Sequence, residues 1–259
     1  MAERIFVPET LRAFFGEHPR MALAFSGGVD SAYLLYAALS CGCDVRAFYA
    51  RSAFQPEFEY QDALRLAEQL NAPMTVVPLD VLAVPAVREN PANRCYYCKQ
   101  AIFTALTAAA RQAGYGEIMD GTNASDDAGD RPGMRALTEL KVLSPLRLCG
   151  ITKARVRECS RLAGLFTWDK PAYACLATRV PTGTPITAQA LARVEGAEGA
   201  LFALGYTDFR VRLYGEAARL QLPGDQLVRA ATEREAVRRA LEPWFDTVLL
   251  DLAQRAKSE

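Results

Sequence analysis

Residues 21–25 form an unbroken apolar run, as in a strand buried on both faces, and 32–39 behind it reads as a helix. The alternation continues along the first two-thirds of the chain. Residues 45–49 form a short apolar strand. Over 57–70, Phe58, Ala63, Leu64, Ala67 and Leu70 recur at helical spacing. A strand over 74–77 and an amphipathic helix over 101–113 follow, and 117–119 leads into the polar turn Asp120-Gly121-Thr122-Asn123. This pattern predicts an α/β fold, a doubly wound domain around a parallel sheet over 1–170. Ligands of such sheets bind beyond the strand carboxyl ends. The character changes after Pro171. Residues 181–185 read as a rigid turn, 188–204 as a helix, 209–213 and 217–222 as strands joined at Gly215, 226–241 as a helix and 248–252 as a last strand. Residues 171–259 are therefore expected to form a small α+β domain.

A chain of 259 residues is comfortable for two domains, and 51% hydrophobic with 23% charged residues is ordinary for a folded soluble protein. Thirty basic and thirty acidic residues cancel, which argues against a general nucleic-acid-binding surface. No apolar run approaches the roughly 20 residues of a membrane span, and the first residues lack the layout of a signal peptide. The expectation is a cytoplasmic protein with neither nucleic acid nor membrane as partner. Seven cysteines, an odd number, do not suit a full disulfide framework, so thiols, a metal cluster or reactive sulfur account for them better. A single histidine, His18, excludes histidine-rich zinc sites and makes a histidine-dependent triad a poor reading.

The most specific chemistry lies in the string Ser26-Gly27-Gly28-Val29-Asp30-Ser31, between a predicted strand and a predicted helix. Glycines there let backbone N–H groups crowd an anion, and a helix N-terminus adds unpaired donors and a positive dipole end. Ser26 and Ser31 add hydroxyls, and Asp30 can cap the helix or hold a phosphate-bound magnesium. An ordinary glycine turn is the alternative. Neither the Walker spacing nor a dinucleotide fingerprint is present. The string resembles the PP-loop of the ATP pyrophosphatases, which implies that Ser26, Gly27, Gly28, Asp30 and Ser31 hold the pyrophosphate part of ATP and its Mg²⁺. Asp120, Thr122 and Asn123 are candidates for ribose, adenine or magnesium contacts. Lys99 and Arg131 are further candidate cations, the alternative for each being exposed surface charge.

Cys95 and Cys98 stand at CxxC spacing in Arg94-Cys95-Tyr96-Tyr97-Cys98-Lys99, suited to a metal or a redox disulfide. Cys175 lies between Lys170 and Arg179, cations that favour a thiolate. Cys41, Cys43, Cys149 and Cys159 are assigned to packing. Arg210 and Arg212, two apart on a predicted strand, project to one face, where paired guanidiniums can grip a phosphate; the alternative is a solvated strand face. Glu198 on the preceding helix is placed to orient one of them. Arg179 is a further substrate candidate and Asp225 a weaker one.

The ordered set of PP-loop, RCYYCK, DGTN, SPL with the pair Thr152-Lys153, CLATR and FRVRL resembles the LarE family over nearly the whole chain. That resemblance implies ATP-dependent adenylylation of the carboxylates of pyridinium-3,5-biscarboxylic acid mononucleotide and their conversion to thiocarboxylates, in the synthesis of a nickel-pincer nucleotide. It implies an essential Cys175, a role for Asp30 at the ATP site, a substrate phosphate site at Arg210 and Arg212, and a hexamer; a catalytic role for Lys99 and substrate roles for Arg179 and Glu198 are expected from the residues themselves. It admits two sulfur sources: Cys175 giving up its own sulfur, or a 4Fe–4S cluster held by Cys95, Cys98 and Cys175, favoured because all three cysteines are present. The other reading is a PP-loop tRNA thiolation enzyme, for which the neutral chain offers no basic surface. An amidotransferase-like ligase lacks an evident ammonia source.

Overall fold

Four short strands pair in parallel because helices between them carry the chain back to the same end of the sheet. In the computed structural model, which describes residues 6–126 and 132–255, β1 (Arg20–Ala24), β2 (Asp44–Arg51), β3 (Met74–Pro78) and β4 (Ile118–Met119) form a parallel sheet in the order β3-β2-β1-β4. Side chains alternate across each strand. Met21, Leu23, Val45, Ala47 and Tyr49 enter a core with the helices Val29–Ser40 and Lys153–Leu162. Ala22, Phe48 and Ala50 enter the opposite core, with Phe103, Leu106 and Ala110 of the helix Arg94–Gln112. The sheet is thus covered on both faces, as the alternation predicted.

Two helices differ from expectation. The helix expected over 101–113 begins at Arg94, so the CxxC pair occupies its first turn. Its opening residues carry no apolar stripe, and buried Arg94 stands where an apolar residue was sought. The single helix expected over 226–241 is two, Gly224–Thr232 and Arg234–Leu241. They break at Glu233, whose carboxylate accepts from Tyr206 Oη and Arg229 Nε. The helices Glu9–Glu17, Pro132–Glu139 and Lys153–Leu162 were not anticipated.

The chain divides into two compact units, 1–52 with 57–81 and 93–170, and 53–56 with 82–92 and 171–259. In the second, β5 (Arg210–Tyr214) and β6 (Ala217–Gln221) form an antiparallel hairpin, and β7 (Val248–Leu250) joins β6 in parallel. The helix Ala188–Ala203 contributes buried Leu191, Val194, Ala197, Glu198 and Leu201. The short pieces belong here through specific bonds. Leu176 N–H donates to Phe54 O, and Asn90 Nδ2 donates to the carbonyls of Pro181 and Thr184 at 2.8 and 3.1 Å. Among the described residues no helix is long and apolar enough to cross a membrane.

Candidate active site

The glycine turn lies beyond the carboxyl end of β1, and its hydroxyls build it from inside. Ser31 Oγ donates to Gly28 O at 3.1 Å and accepts from the Ser26 amide at 3.3 Å, while the two serine hydroxyls stand 3.1 Å apart. Gly27 adopts φ +74°, and a Cβ there would meet Ala63 at 3.0 Å. The helix Val29–Ser40 starts with no side-chain cap, leaving the donors of its first turn for an anion. The backbone therefore forms a cradle of the kind that fits a polyphosphate.

The Asp120 turn closes against the same helix end. A Cβ on Gly121 would lie 2.9 Å from the Ser31 amide nitrogen, so only glycine allows this approach. Asp120 organises its own loop: its carboxylate accepts from Ser144 Oγ at 2.6 Å, Thr122 Oγ1 at 2.5 Å and the Thr122 amide at 3.2 Å. Buried Asn123 donates to Asp30 Oδ1 at 3.2 Å and accepts from the Ser125 amide at 2.8 Å. Lys153 Nζ donates to Asp30 Oδ2 at 2.5 Å. Burial raises the Asp30 pKa above the ordinary carboxylate range, and Lys153 works against that rise. Lys153 was assigned no role from the sequence, although the Thr152-Lys153 pair was visible. The structure uses Thr152 to cap the helix Lys153–Leu162 and turns Lys153 to Asp30. Ser144, of the SPL string, was likewise assigned no role.

Cys95 is exposed and Cys98 half-buried, one helical turn apart, with Arg94 Nη2 4.0 Å from Cys95 Sγ. No disulfide joins any of the seven cysteines, and Cys43 and Cys159 are buried. The stem of Lys99 passes over Gly133, where a Cβ would be 3.1 Å from Lys99 Cδ. Arg131 lies outside the described residues. Cys95 and Cys98 belong to the first unit and Cys175 to the second. Among the described residues no three His, Cys, Asp or Glu side chains gather for a metal ion.

In the second unit Cys175, half-buried, precedes the 3-10 turn Leu176–Arg179. Arg179 and Glu198 form a buried pair at 2.8 Å, with side chains 0% and 2% exposed. Arg179 Nη1 donates to Ala174 O and Thr178 Oγ1, both at 2.8 Å. Arg210 is buried and donates to Phe209 O at 2.6 Å and Ala172 O at 2.7 Å. Arg212 donates to Gln221 Oε1 at 2.5 Å and to Thr178 O. Burial, with Arg179 and Arg255 nearby, pulls the Arg210 pKa down to about 10. The structure thus gathers Arg179, Glu198, Arg210 and Arg212, and this excess of positive charge suits a bound anion. Asp225 stands in the first turn of the helix Gly224–Thr232.

No protein-family model matches the chain. An uncharacterized protein of Synechocystis sp. is 40% identical over 85% of this chain and 82% of its own length. The pyridinium-3,5-bisthiocarboxylic acid mononucleotide synthase of Lactiplantibacillus plantarum is 33% identical over 94% of this chain and 89% of its own length. An uncharacterized protein of Methanocaldococcus jannaschii is 27% identical over 91% and 90%.

Proposed function

This chain belongs to the LarE family, and on that premise we propose that it uses ATP to turn the carboxylates of a pyridinium dicarboxylate mononucleotide into thiocarboxylates. The observation that carries the nucleotide half is the Ser26–Ser31 cradle, with Asp30 and Lys153 paired at its rim. A carboxylate is a poor electrophile, and its attack on the α-phosphorus of ATP releases pyrophosphate and leaves an acyl-adenylate. Catalysis of such a step is mostly positioning and charge neutralisation. Ser26, Gly27, Gly28 and Ser31 would hold the pyrophosphate part, and Lys153 and Lys99 supply cations. Arg131 is proposed for the same task from the sequence pattern alone. Asn123 orients Asp30, while Asp120 and Thr122 shape the wall beside it. One carboxylate suits Mg²⁺, which takes few protein ligands and completes its shell with phosphate and water. Asp30 would hold it, and the ion would neutralise phosphate charge.

The sulfur half rests on Cys175. Its thiolate attacks the acyl-adenylate carbonyl and AMP leaves, giving a thioester. Loss of the Cys175 Cα proton with cleavage of its Cβ–S bond then leaves a thiocarboxylate on the substrate and dehydroalanine in the chain. Arg210, Arg212 and Arg179, with Glu198 orienting them, are proposed to bind the substrate phosphate. The presence of Cys95 and Cys98 favours a second reading, a 4Fe–4S cluster completed by Cys175. Cys95 and Cys98 of the first unit, with Cys175 of the second, would hold it, and it would supply a renewable sulfide; no step is derived through it. A cytoplasmic location and assembly into an oligomer belong to the same proposal.

The test is incubation with ATP, Mg²⁺ and the dicarboxylate nucleotide after anaerobic purification with iron and sulfide analysis. AMP and thiocarboxylate should form together, Cys175 should lose the mass of one H₂S, and Cys175→Ser should form none. AMP formation that ignores the dicarboxylate would overturn the reading. Repeated turnover that leaves Cys175 intact, together with iron and sulfide in the protein, would transfer it to the cluster route.

A further inference from the structure

The segment 171–175 forms neither helix nor strand, yet it carries the cysteine on which sulfur transfer depends in the reading above. Such a loop lacks a backbone ladder to fix its course. Two arginines take the place of that ladder, and a third holds the turn that follows. Arg210 Nη2 donates to Ala172 O at 2.7 Å, Arg179 Nη1 reaches Ala174 O at 2.8 Å and Cys175 O at 3.4 Å, and Arg212 donates to Thr178 O. Thr178 adds its hydroxyl to Cys175 O at 2.9 Å.

Two of these guanidiniums converge on Tyr173. Arg179 stands 4.5 Å and Arg210 5.1 Å from the centre of its ring, whose π system attracts both cations. The Tyr173 hydroxyl donates to Glu198 Oε2, and the same carboxylate accepts from Arg179 Nε and Nη2 and from the Val211 amide. Tyr173 is therefore bonded at its hydroxyl and flanked by cations at its ring. The guanidiniums that flank it hold the carbonyls on either side of it. We propose that Tyr173 is a positioning residue for Cys175: it braces Arg179 and Arg210 so that their donors lock the loop and aim the thiol two residues further on. The arginine cluster then has two tasks in one place, holding the sulfur-bearing loop and attracting the anionic substrate. This inference rests on the proposed role of Cys175 but predicts a property of the protein alone.

The experiment compares the full-length protein with Tyr173→Ala and Tyr173→Phe. Alkylation of Cys175 by iodoacetamide is followed peptide by peptide in a mass spectrometer, with Cys95 in the same sample as reference. Single-turnover sulfur transfer is measured alongside. Tyr173→Ala should change the Cys175 alkylation rate about tenfold and slow sulfur transfer about ten- to a hundredfold, as misplacement of a reacting group does. The Cys95 rate and the nucleotide concentration that half-saturates the single turnover should stay within about threefold of the parent, so that the loss falls on the maximal single-turnover rate. Tyr173→Phe keeps the ring and should restore most of the Ala loss. Should Tyr173→Ala fail to fold, the alkylation comparison passes to Tyr173→Phe, with a change of about threefold expected for the lost hydroxyl. Cys175 alkylation equal to the parent in the folded variants overturns the proposal, and so does a loss confined to the half-saturating nucleotide concentration. If the parent forms no thiocarboxylate, the proposed function fails, and the alkylation result still decides the brace.

Discussion

A methyl group at Gly121 would sit 2.9 Å from the Ser31 amide and 3.2 Å from the Asp30 carbonyl carbon, both backbone atoms that cannot swing aside. Gly121→Ala should therefore push the Asp120 turn off the phosphate cradle, costing about 1–3 kcal/mol by overpacking. The loss of AMP formation should exceed what that stability change explains, about tenfold or more, because the cradle itself is displaced. Denaturant unfolding and AMP release on one preparation separate the two. Lys153→Met removes the cation from Asp30 and should slow AMP formation about ten- to a hundredfold while the fold persists, as circular dichroism would show. Burial, with Asp44 nearby, pushes the Cys43 thiol up to about 11, so the thiolate is scarce at neutral pH. Its alkylation should trail that of exposed Cys95 at pH 8 and climb about tenfold per unit until pH nears that value; early labelling of Cys43 would contradict its assignment to packing. At this scale the sequence was legible where a turn is written in adjacent residues, as in Ser26-Gly27-Gly28. Lys153 was not, because it meets Asp30 across 123 positions of chain.

Elements were legible where an apolar period marked them, and displaced where buried polar side chains did the packing. The strands of the first sheet fell within a few residues of their expected places. The helix from Arg94 began a turn and more earlier than expected, since Arg94 and half-buried Lys99 interrupt any stripe. The helix Ala188–Ala203 shows the same logic in Glu198, 1% exposed within an otherwise apolar face. Its carboxylate meets Arg179, whose charge burial opposes and Glu198 sustains. Glu198→Ala strands that guanidinium in the core and should cost about 3–5 kcal/mol. The double variant Arg179→Met/Glu198→Leu should lose less stability than Glu198→Ala alone, because the Arg179 guanidinium no longer stays buried without its carboxylate beside Arg210. Sulfur transfer should fail in both. Denaturant midpoints of the two proteins decide the order, and a double variant less stable than the single would show that the bonds to the Cys175 loop, rather than charge pairing, dominate.

At the scale of the whole molecule, residues 171–259 share a compact unit with the pieces 53–56 and 82–92, which no sequence pattern announced. Those pieces announce themselves by no periodicity, because what they contribute is backbone polarity. Phe54 gives a carbonyl to the Leu176 amide, Arg88 one to Ile186, and Asn90 one to Gly183 at 2.8 Å. Asn90 is itself 1% exposed and adopts φ +55°, a conformation asparagine tolerates better than most residues. Its buried side-chain amide is satisfied by the carbonyls at 181 and 184, the first of which also accepts from the Thr184 amide. A fragment cut at the apparent boundary, 171–259, lacks all of these partners. It retains β5, β6 and β7 and the helix Ala188–Ala203, but each orphaned group costs about 1–3 kcal/mol. Against the roughly 5–15 kcal/mol that holds an ordinary domain together, several such losses at once are decisive. The fragment should show weak amide protection and a broad thermal transition, whereas the full chain melts cooperatively. Asn90→Ala in the full chain should reproduce part of the defect, at about 1–3 kcal/mol. Hydrogen exchange at the Gly183 and Ile186 amides reads both, and a well-protected fragment would show that the second unit is specified by 171–259 alone.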